Sequence, residues 1–172
     1  MNSQRILLTG GLLLFLSSLI YGVLYDTYLA GEAQHTIVYH LDMALNMAAK
    51  GDLTMASAFA GKFGLESQLQ TIQSRISLHL AMAGALTILP LLILGQLSIS
   101  ERLKRILALL LTCGGALLAI GDLLQASGNT QSGRYTIMAG YAWMTAGLLG
   151  YCIDGLLSTL LAPASQKRRR GS

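Results

Sequence analysis

The sequence predicts an all-α integral membrane protein, an antiparallel bundle of four transmembrane helices with a short helical hairpin outside the membrane between spans one and two. Of its 172 residues, 53% are hydrophobic and 12% are charged, about half the charged share of a typical soluble domain. Aromatic residues make up only 6%, which favours helices over strands. Four apolar stretches are each long enough to cross ~30 Å of hydrocarbon as a helix.

The predicted spans belong to a single membrane domain, residues 1–163. They cover residues 6–29, 77–99, 106–127 and 137–162. The first resembles a signal peptide, but its apolar run is about twice as long as the usual signal core, so we expect an uncleaved anchor. The loops at residues 100–105 and 128–134 are short, so consecutive spans are expected to be antiparallel neighbours.

The basic residues predict the orientation of the spans. Arg5, residues 102–105 and residues 167–170 carry most of the Lys and Arg and fall on one side of a four-pass arrangement. That side is normally the cytoplasm. We therefore expect a multi-pass protein of the bacterial inner (plasma) membrane with cytoplasmic N- and C-termini.

The C-terminal segment, residues 164–172, is predicted to be a disordered basic cytoplasmic tail. Its cations are Lys167, Arg168, Arg169 and Arg170. Beside a membrane, the expected partner of such a run is anionic lipid and not nucleic acid.

The only long loop follows span one and is predicted to contain a helical hairpin at residues 35–62. Ile37 and Leu41 begin an apolar pattern at helical spacing, and Gly51 with Asp52 supplies a helix stop and an N-cap. The hairpin is expected to cap the outer end of the bundle.

Polar residues collect near the outer ends of the threaded spans. The predicted outer polar layer consists of Asp26, Arg75, Asp122, Arg134 and Tyr141. Ionisable groups inside a membrane are costly and usually face the bundle interior or a cavity, so Asp122 is the strongest single clue. It predicts either an ion pair with Arg75 or Arg134 that locks the helices, or a proton or ligand site.

Histidines suggest a cofactor, because imidazole is a common axial ligand of b-type haem. His40 and His79 are the candidate haem ligands; the alternative is that both are hydrogen-bonding residues at the interface. The sequence has neither a His-Glu-x-x-His pattern nor a Cys-x-x-Cys spacing, so no zinc site is expected. Ser77 and His79 point away from each other on a helix, which disfavours a hydrolase, and no catalytic residue is predicted.

Glycines recur in spans three and four. They are Gly114, Gly115, Gly121, Gly140, Gly147, Gly150 and Gly155. Small residues allow close helix approach. The pattern predicts either packing within one bundle, or association with other membrane subunits or a second copy.

Two short motifs carry a resemblance: His40-Leu41-Asp42 with Gly51-Asp52, and the segment from Arg75 to Gly84 that contains His79. The chain resembles small four-span bacterial inner-membrane proteins of unassigned function. The helix with His79 and Gly84 is also similar to a histidine-bearing helix of haem–copper oxidase main subunits, which implies haem or quinone chemistry. That second likeness covers one helix, and three histidines cannot supply the six that the oxidase pattern needs.

The leading functional hypothesis is a non-catalytic accessory or assembly subunit of a membrane complex, because the cores of the spans are nearly all apolar. One alternative is a b-type haem or quinone-interacting electron-transfer protein that uses His40, His79 and Asp122. A small oligomeric transporter is the second alternative, and it would need polar residues at mid-depth, which are few.

Overall fold

The computed structural model describes residues 2–169, except for the side chains of Gln96 and residues 159–169, and its regular structure is all helical. Helix α1 (Ser3–Leu24) continues through a π-helical segment (Tyr25–Leu29) into α2 (Ala30–Ala49). The remaining helices are α3 (Leu53–Ile88), α4 (Glu101–Ala126) and α5 (Thr130–Arg169). Among the described residues, four helical stretches are long and apolar enough to cross a membrane, which confirms their predicted number. They are Ser3–Ala49, Leu53–Leu92, Glu101–Ala126 and Thr130–Ser158.

The basic side chains Lys167, Arg168, Arg169 and Arg170 lie outside the described residues. The disordered tail at residues 164–172 and its contact with anionic lipid therefore stay predictions.

The segment predicted as a hairpin, residues 35–62, is built from the continuations of two long helices and not from two separate short ones. The helices run unbroken through residue 29 and through residues 61–66. An exposed glycine such as Gly61 costs a helix interior only about 1 kcal/mol, which is too little to end it. The turn falls where the sequence predicts: Gly51 has a φ of +80°, and Asp52 caps α3 by accepting a hydrogen bond from the Met55 amide at 3.0 Å.

The second span differs from its predicted end at residue 99, because α3 stops at Ile88 and short 3-10 turns follow. Pro90 lacks the N–H that a longer α-helix would need. The carbonyl oxygens of Leu94 and Leu97 accept hydrogen bonds from Lys104 Nζ at 3.2 and 3.0 Å. This amine satisfies carbonyls that the interrupted helix leaves without an intrahelical donor.

The chain next turns through Ser98, which is held by the carboxylate of Asp154 on α5. Asp154 accepts hydrogen bonds from the Ser98 amide and hydroxyl, both at 3.1 Å. Tyr151, one turn earlier on α5, donates to the Lys104 carbonyl at 2.7 Å. These bonds fasten the link between α3 and α4 to α5.

Helices α4 and α5 pack backbone against backbone at glycines. A Cβ atom on Gly114 would lie 2.9 Å from the Gly140 carbonyl oxygen, and one on Gly140 would lie 2.9 Å from that of Gly114. Gly121 meets Gly133 in the same way at 2.8 Å. A position further along α4 therefore contacts a position earlier in α5.

The other helices meet at small residues as well. Gly11 of α1 and Gly84 of α3 face each other's carbonyl oxygen at 3.0 and 2.9 Å, and Gly115 of α4 faces Ala83 at 2.7 Å, measured from ideal Cβ positions. These contacts show that the glycines pack helices within the chain, which is one of the two interpretations of the glycine pattern. Association with other subunits stays a prediction and would need other faces.

We expect Gly121→Ala to destabilise the fold by about 1–3 kcal/mol, the usual cost of overpacking a filled interior. Its new methyl group would meet both the Gly133 carbonyl and Ile137. Gly61→Ala is the matched control, because nothing lies within 4 Å of that position, and it should leave stability unchanged or raise it slightly. Unfolding of the detergent-solubilised protein measures both; equal stability of the two variants would contradict the α4–α5 packing.

Candidate functional site

The site is centred on an imidazole–carboxylate pair between two helices. His79 of α3 and Asp122 of α4 approach to 2.5 Å between Nδ1 and Oδ2. The Asp122 side chain is fully buried and that of His79 is 12% exposed. The close α3–α4 approach at Ala83 and Gly115 lies about one to two turns deeper, and it brings the two side chains within bonding distance.

Tyr141 of α5 completes a chain of three polar side chains. Its hydroxyl lies 3.1 Å from His79 Nε2, and the two rings meet edge to face with centroids 5.9 Å apart. Both imidazole nitrogens are therefore engaged, one by a carboxylate and the other by a phenol. Three different helices contribute one residue each.

The partner of Asp122 differs from the arginine predicted in the locking hypothesis. Arg75 and Arg134 are exposed, and in the described part of the chain the ion pairs are His79–Asp122 and Arg105–Glu101. Carrying either guanidinium to a fully buried carboxylate would require its long side chain to enter the core. The imidazole of His79 is already there, so it satisfies Oδ2 without that cost, while Oδ1 makes no hydrogen bond among the described residues.

A cavity of about 180 Å³ lies directly beside the His79–Tyr141 contact. Its wall is mainly apolar and is formed by α3, α4 and α5. The lining residues are Leu78, His79, Met82, Ala83, Leu86, Leu118, Tyr141, Met144, Thr145 and Leu148. Leu78, Met82 and Tyr141 are each about half exposed, at 54, 53 and 50%, so the cavity opens sideways on the outer surface of the bundle.

The two candidate haem ligands are far apart. The His40 ring on α2 lies 6.0 Å from the ring of Phe59, and Phe59 precedes His79 on the same helix by twenty residues, or about 30 Å at 1.5 Å per residue. In this arrangement one haem does not reach both imidazoles, and either histidine as a single haem ligand stays a prediction. His79 also has both nitrogens engaged, and no cluster of three or more metal-binding side chains occurs among the described residues.

Only part of the predicted polar layer comes together. Asp122 and Tyr141 meet through His79, whereas Asp26 and Arg75 are exposed. Arg134 instead lines an open groove of about 220 Å³ with α3 and the α4–α5 turn. The cavity residues Met144 and Thr145 were not singled out by sequence, although Met144 lies one turn from Tyr141 and thus shares its helix face.

Comparison of the chain with protein-family models, with curated proteins and with solved structures gives no match.

The pair can be tested by removing its members singly and together. We expect His79→Phe to destabilise the protein by about 3–5 kcal/mol, because it leaves a buried carboxylate without its partner. Adding Asp122→Leu should restore most of the loss, since the double variant buries no polar group there. Unfolding in detergent measures the cycle.

His40→Phe is the matched control. That ring lies near Phe59 and its Nδ1 makes no hydrogen bond among the described residues, so the exchange should be nearly neutral. If the effects of His79→Phe and Asp122→Leu simply add, the two side chains are not coupled.

Proposed function

We propose that this chain is a four-span antiparallel membrane protein that binds a lipid-soluble ligand in the cavity beside His79. The observation that carries the proposal is a chain of hydrogen bonds that runs from the fully buried Asp122 through His79 to the half-exposed Tyr141 and ends in an apolar cavity opening sideways. The opposite order of contacts along α4 and α5 supports the antiparallel arrangement. The basic residues support cytoplasmic termini in a bacterial inner membrane.

The cavity suits a small ring or a short lipid-like head. Its volume of 180 Å³ is about six times the ~30 Å³ that one water molecule occupies in the liquid. Binding pockets are typically apolar with a few placed polar groups, and here those groups are His79, Tyr141 and Thr145. Because the exposed lining residues face the region expected to contact lipid, a ligand can enter from the bilayer.

A transporter is less well supported. An ion crossing the bundle would need polar partners along its path, but most of the described interior between the site and the other end is apolar, with fully buried side chains such as Ala108 and Leu111. The buried Thr87 hydroxyl there donates to a carbonyl of its own helix. Charged groups cross such an interior only at a high cost. The polar site therefore lies at one end of an apolar core and not along a path.

Met82→Trp tests ligand binding, because the larger side chain should fill the cavity from its exposed rim. We expect protein purified in lipid nanodiscs to retain a lipophilic compound that mass spectrometry detects after solvent extraction, and Met82→Trp to lose most of it. Leu149→Trp is the control: it is 54% exposed on α5 and does not line the cavity. Equal retention by all three proteins would contradict the proposal, and a haem absorption band from the wild type would favour the haem alternative.

A second candidate function, an accessory or assembly subunit of a membrane complex, rests on the hairpin of α2 and the start of α3. Of the residues of α2, only Ala44 is buried, while Val38, Leu41 and Leu45 are 43 to 62% exposed. Their spacing places them on one stripe of the helix. An apolar stripe of this kind suits a partner helix from another subunit.

We expect Leu41→Glu with Leu45→Glu to abolish co-elution of partner polypeptides from mildly solubilised membranes, because charges cannot be buried in an apolar contact. Gln34→Glu, at an exposed position of the same helix, should leave co-elution intact. Partners that stay bound to the doubly charged variant would show that this stripe does not hold them.

A further inference from the structure

The hydrogen bonds of the Asp122–His79–Tyr141 chain determine whether Tyr141 offers a donor or an acceptor to the cavity. Asp122 is fully buried, and an uncompensated charge in such a place is strongly disfavoured. Neither Arg75 nor Arg134 compensates it. The hydrogen-bonding partner that the structure gives this carboxyl group is His79 Nδ1.

Two arrangements of the hydrogens fit the His79–Tyr141 contact: the Tyr141 hydroxyl donates to His79 Nε2, or an Nε2–H donates to the Tyr141 oxygen. In the second arrangement, one hydrogen lies between Asp122 Oδ2 and His79 Nδ1 and another sits on His79 Nε2. The Nε2–H then donates to the Tyr141 oxygen across the 3.1 Å contact. The hydroxyl hydrogen of Tyr141 consequently points away from the imidazole and is free to donate to a group in the cavity.

We infer that the site uses the second arrangement and recognises a hydrogen-bond acceptor, the carbonyl oxygen of a lipid-soluble ring compound of the quinone class, through the Tyr141 hydroxyl at the cavity wall. This inference rests on the proposed function and specifies the head group of its ligand. His79 and Asp122 act as positioning residues, because they fix the direction in which the phenol donates. The apolar wall of leucines and methionines holds the ring, and a ring-sized head fits 180 Å³.

A quinone also matches the two kinds of surface in the cavity, the apolar wall and the Tyr141 hydroxyl. A quinone ring presents apolar faces with carbonyl oxygens at its edge, and the cavity presents one oriented donor at the edge of an apolar wall. A hydrocarbon of the same shape would fill the wall but leave the Tyr141 donor without an acceptor. The site is therefore expected to bind the quinone more tightly than the hydrocarbon by the contribution of one hydrogen bond.

The experiment measures binding of an alkyl-substituted para-benzoquinone, isotope-labelled at its carbonyls, to the full chain in nanodiscs, beside an alkylbenzene with the same chain. Infrared difference spectra should show one quinone carbonyl band shifted to lower frequency in the wild type. Tyr141→Phe should remove that shift and weaken quinone binding about 2- to 10-fold relative to alkylbenzene binding, the effect of one neutral hydrogen bond. Tyr135→Phe is the control, since Tyr135 is exposed on the same helix and does not line the cavity.

The positioning role has its own readout. The His79→Phe, Asp122→Leu double variant removes the group that directs the phenol. The shifted carbonyl band should therefore broaden and move towards the unbound frequency, and the affinity for quinone should fall relative to that for alkylbenzene. A purely structural role of the pair would change the binding of both compounds equally and leave the band of any bound quinone in place.

The outcomes separate this inference from the proposed function. Equal affinity for quinone and alkylbenzene, with no change in Tyr141→Phe, would overturn carbonyl recognition and leave lipophilic binding intact. Equal weakening of both compounds by Tyr141→Phe would also overturn it, because the tyrosine would then act only by packing. Failure of the wild type to bind either compound would overturn both proposals.

Discussion

The contact between the fully buried Asp122 carboxyl group and His79 is the interaction on which the packing at this end of a mainly apolar helix bundle depends. Asp122 has a single hydrogen-bonding partner among the described residues, His79. Because an unpartnered charge would be costly in such surroundings, α3 and α4 must stay close enough for the contact. The imidazole in turn binds Tyr141 and joins the third helix to the pair.

Close helix approach makes this contact geometrically feasible. Ala83 and Gly115 allow α3 to reach α4, and the Gly114–Gly140 and Gly121–Gly133 contacts bring α5 against α4. Larger side chains at these places would separate the helices and pull Tyr141 and Asp122 away from His79. The small residues thus set the distances between α3, α4 and α5, and these distances allow the hydrogen bonds among Asp122, His79 and Tyr141 to form.

A second buried carboxyl group, that of Asp154, lies at the opposite end of the bundle and has different hydrogen-bonding partners. Asp154 is also largely buried, at 7% exposure, but it accepts several hydrogen bonds from the interrupted chain around Ser98. That carboxylate fastens the link between two helices, and both of its oxygens accept hydrogen bonds, whereas Oδ1 of Asp122 accepts none among the described residues. The contrast is why the His79 site, and not the Asp154 cluster, is the candidate for binding a ligand.

Composition and apolar length determined that the chain is helical with four candidate spans, because 53% hydrophobic content and runs of sufficient length are properties of the chain itself. The Gly51–Asp52 turn was equally readable, since left-handed backbone and N-capping are local requirements. Sequence did not determine that the hairpin would continue both long helices, because single glycines weaken a helix without ending it and only neighbouring packing decides. Nor could it choose the partner of Asp122 or separate His40 from His79, since the placement of residues from different helices depends on how glycine contacts set their rotation and spacing. The tertiary structure alone brought His79, Asp122 and Tyr141 together beside a cavity.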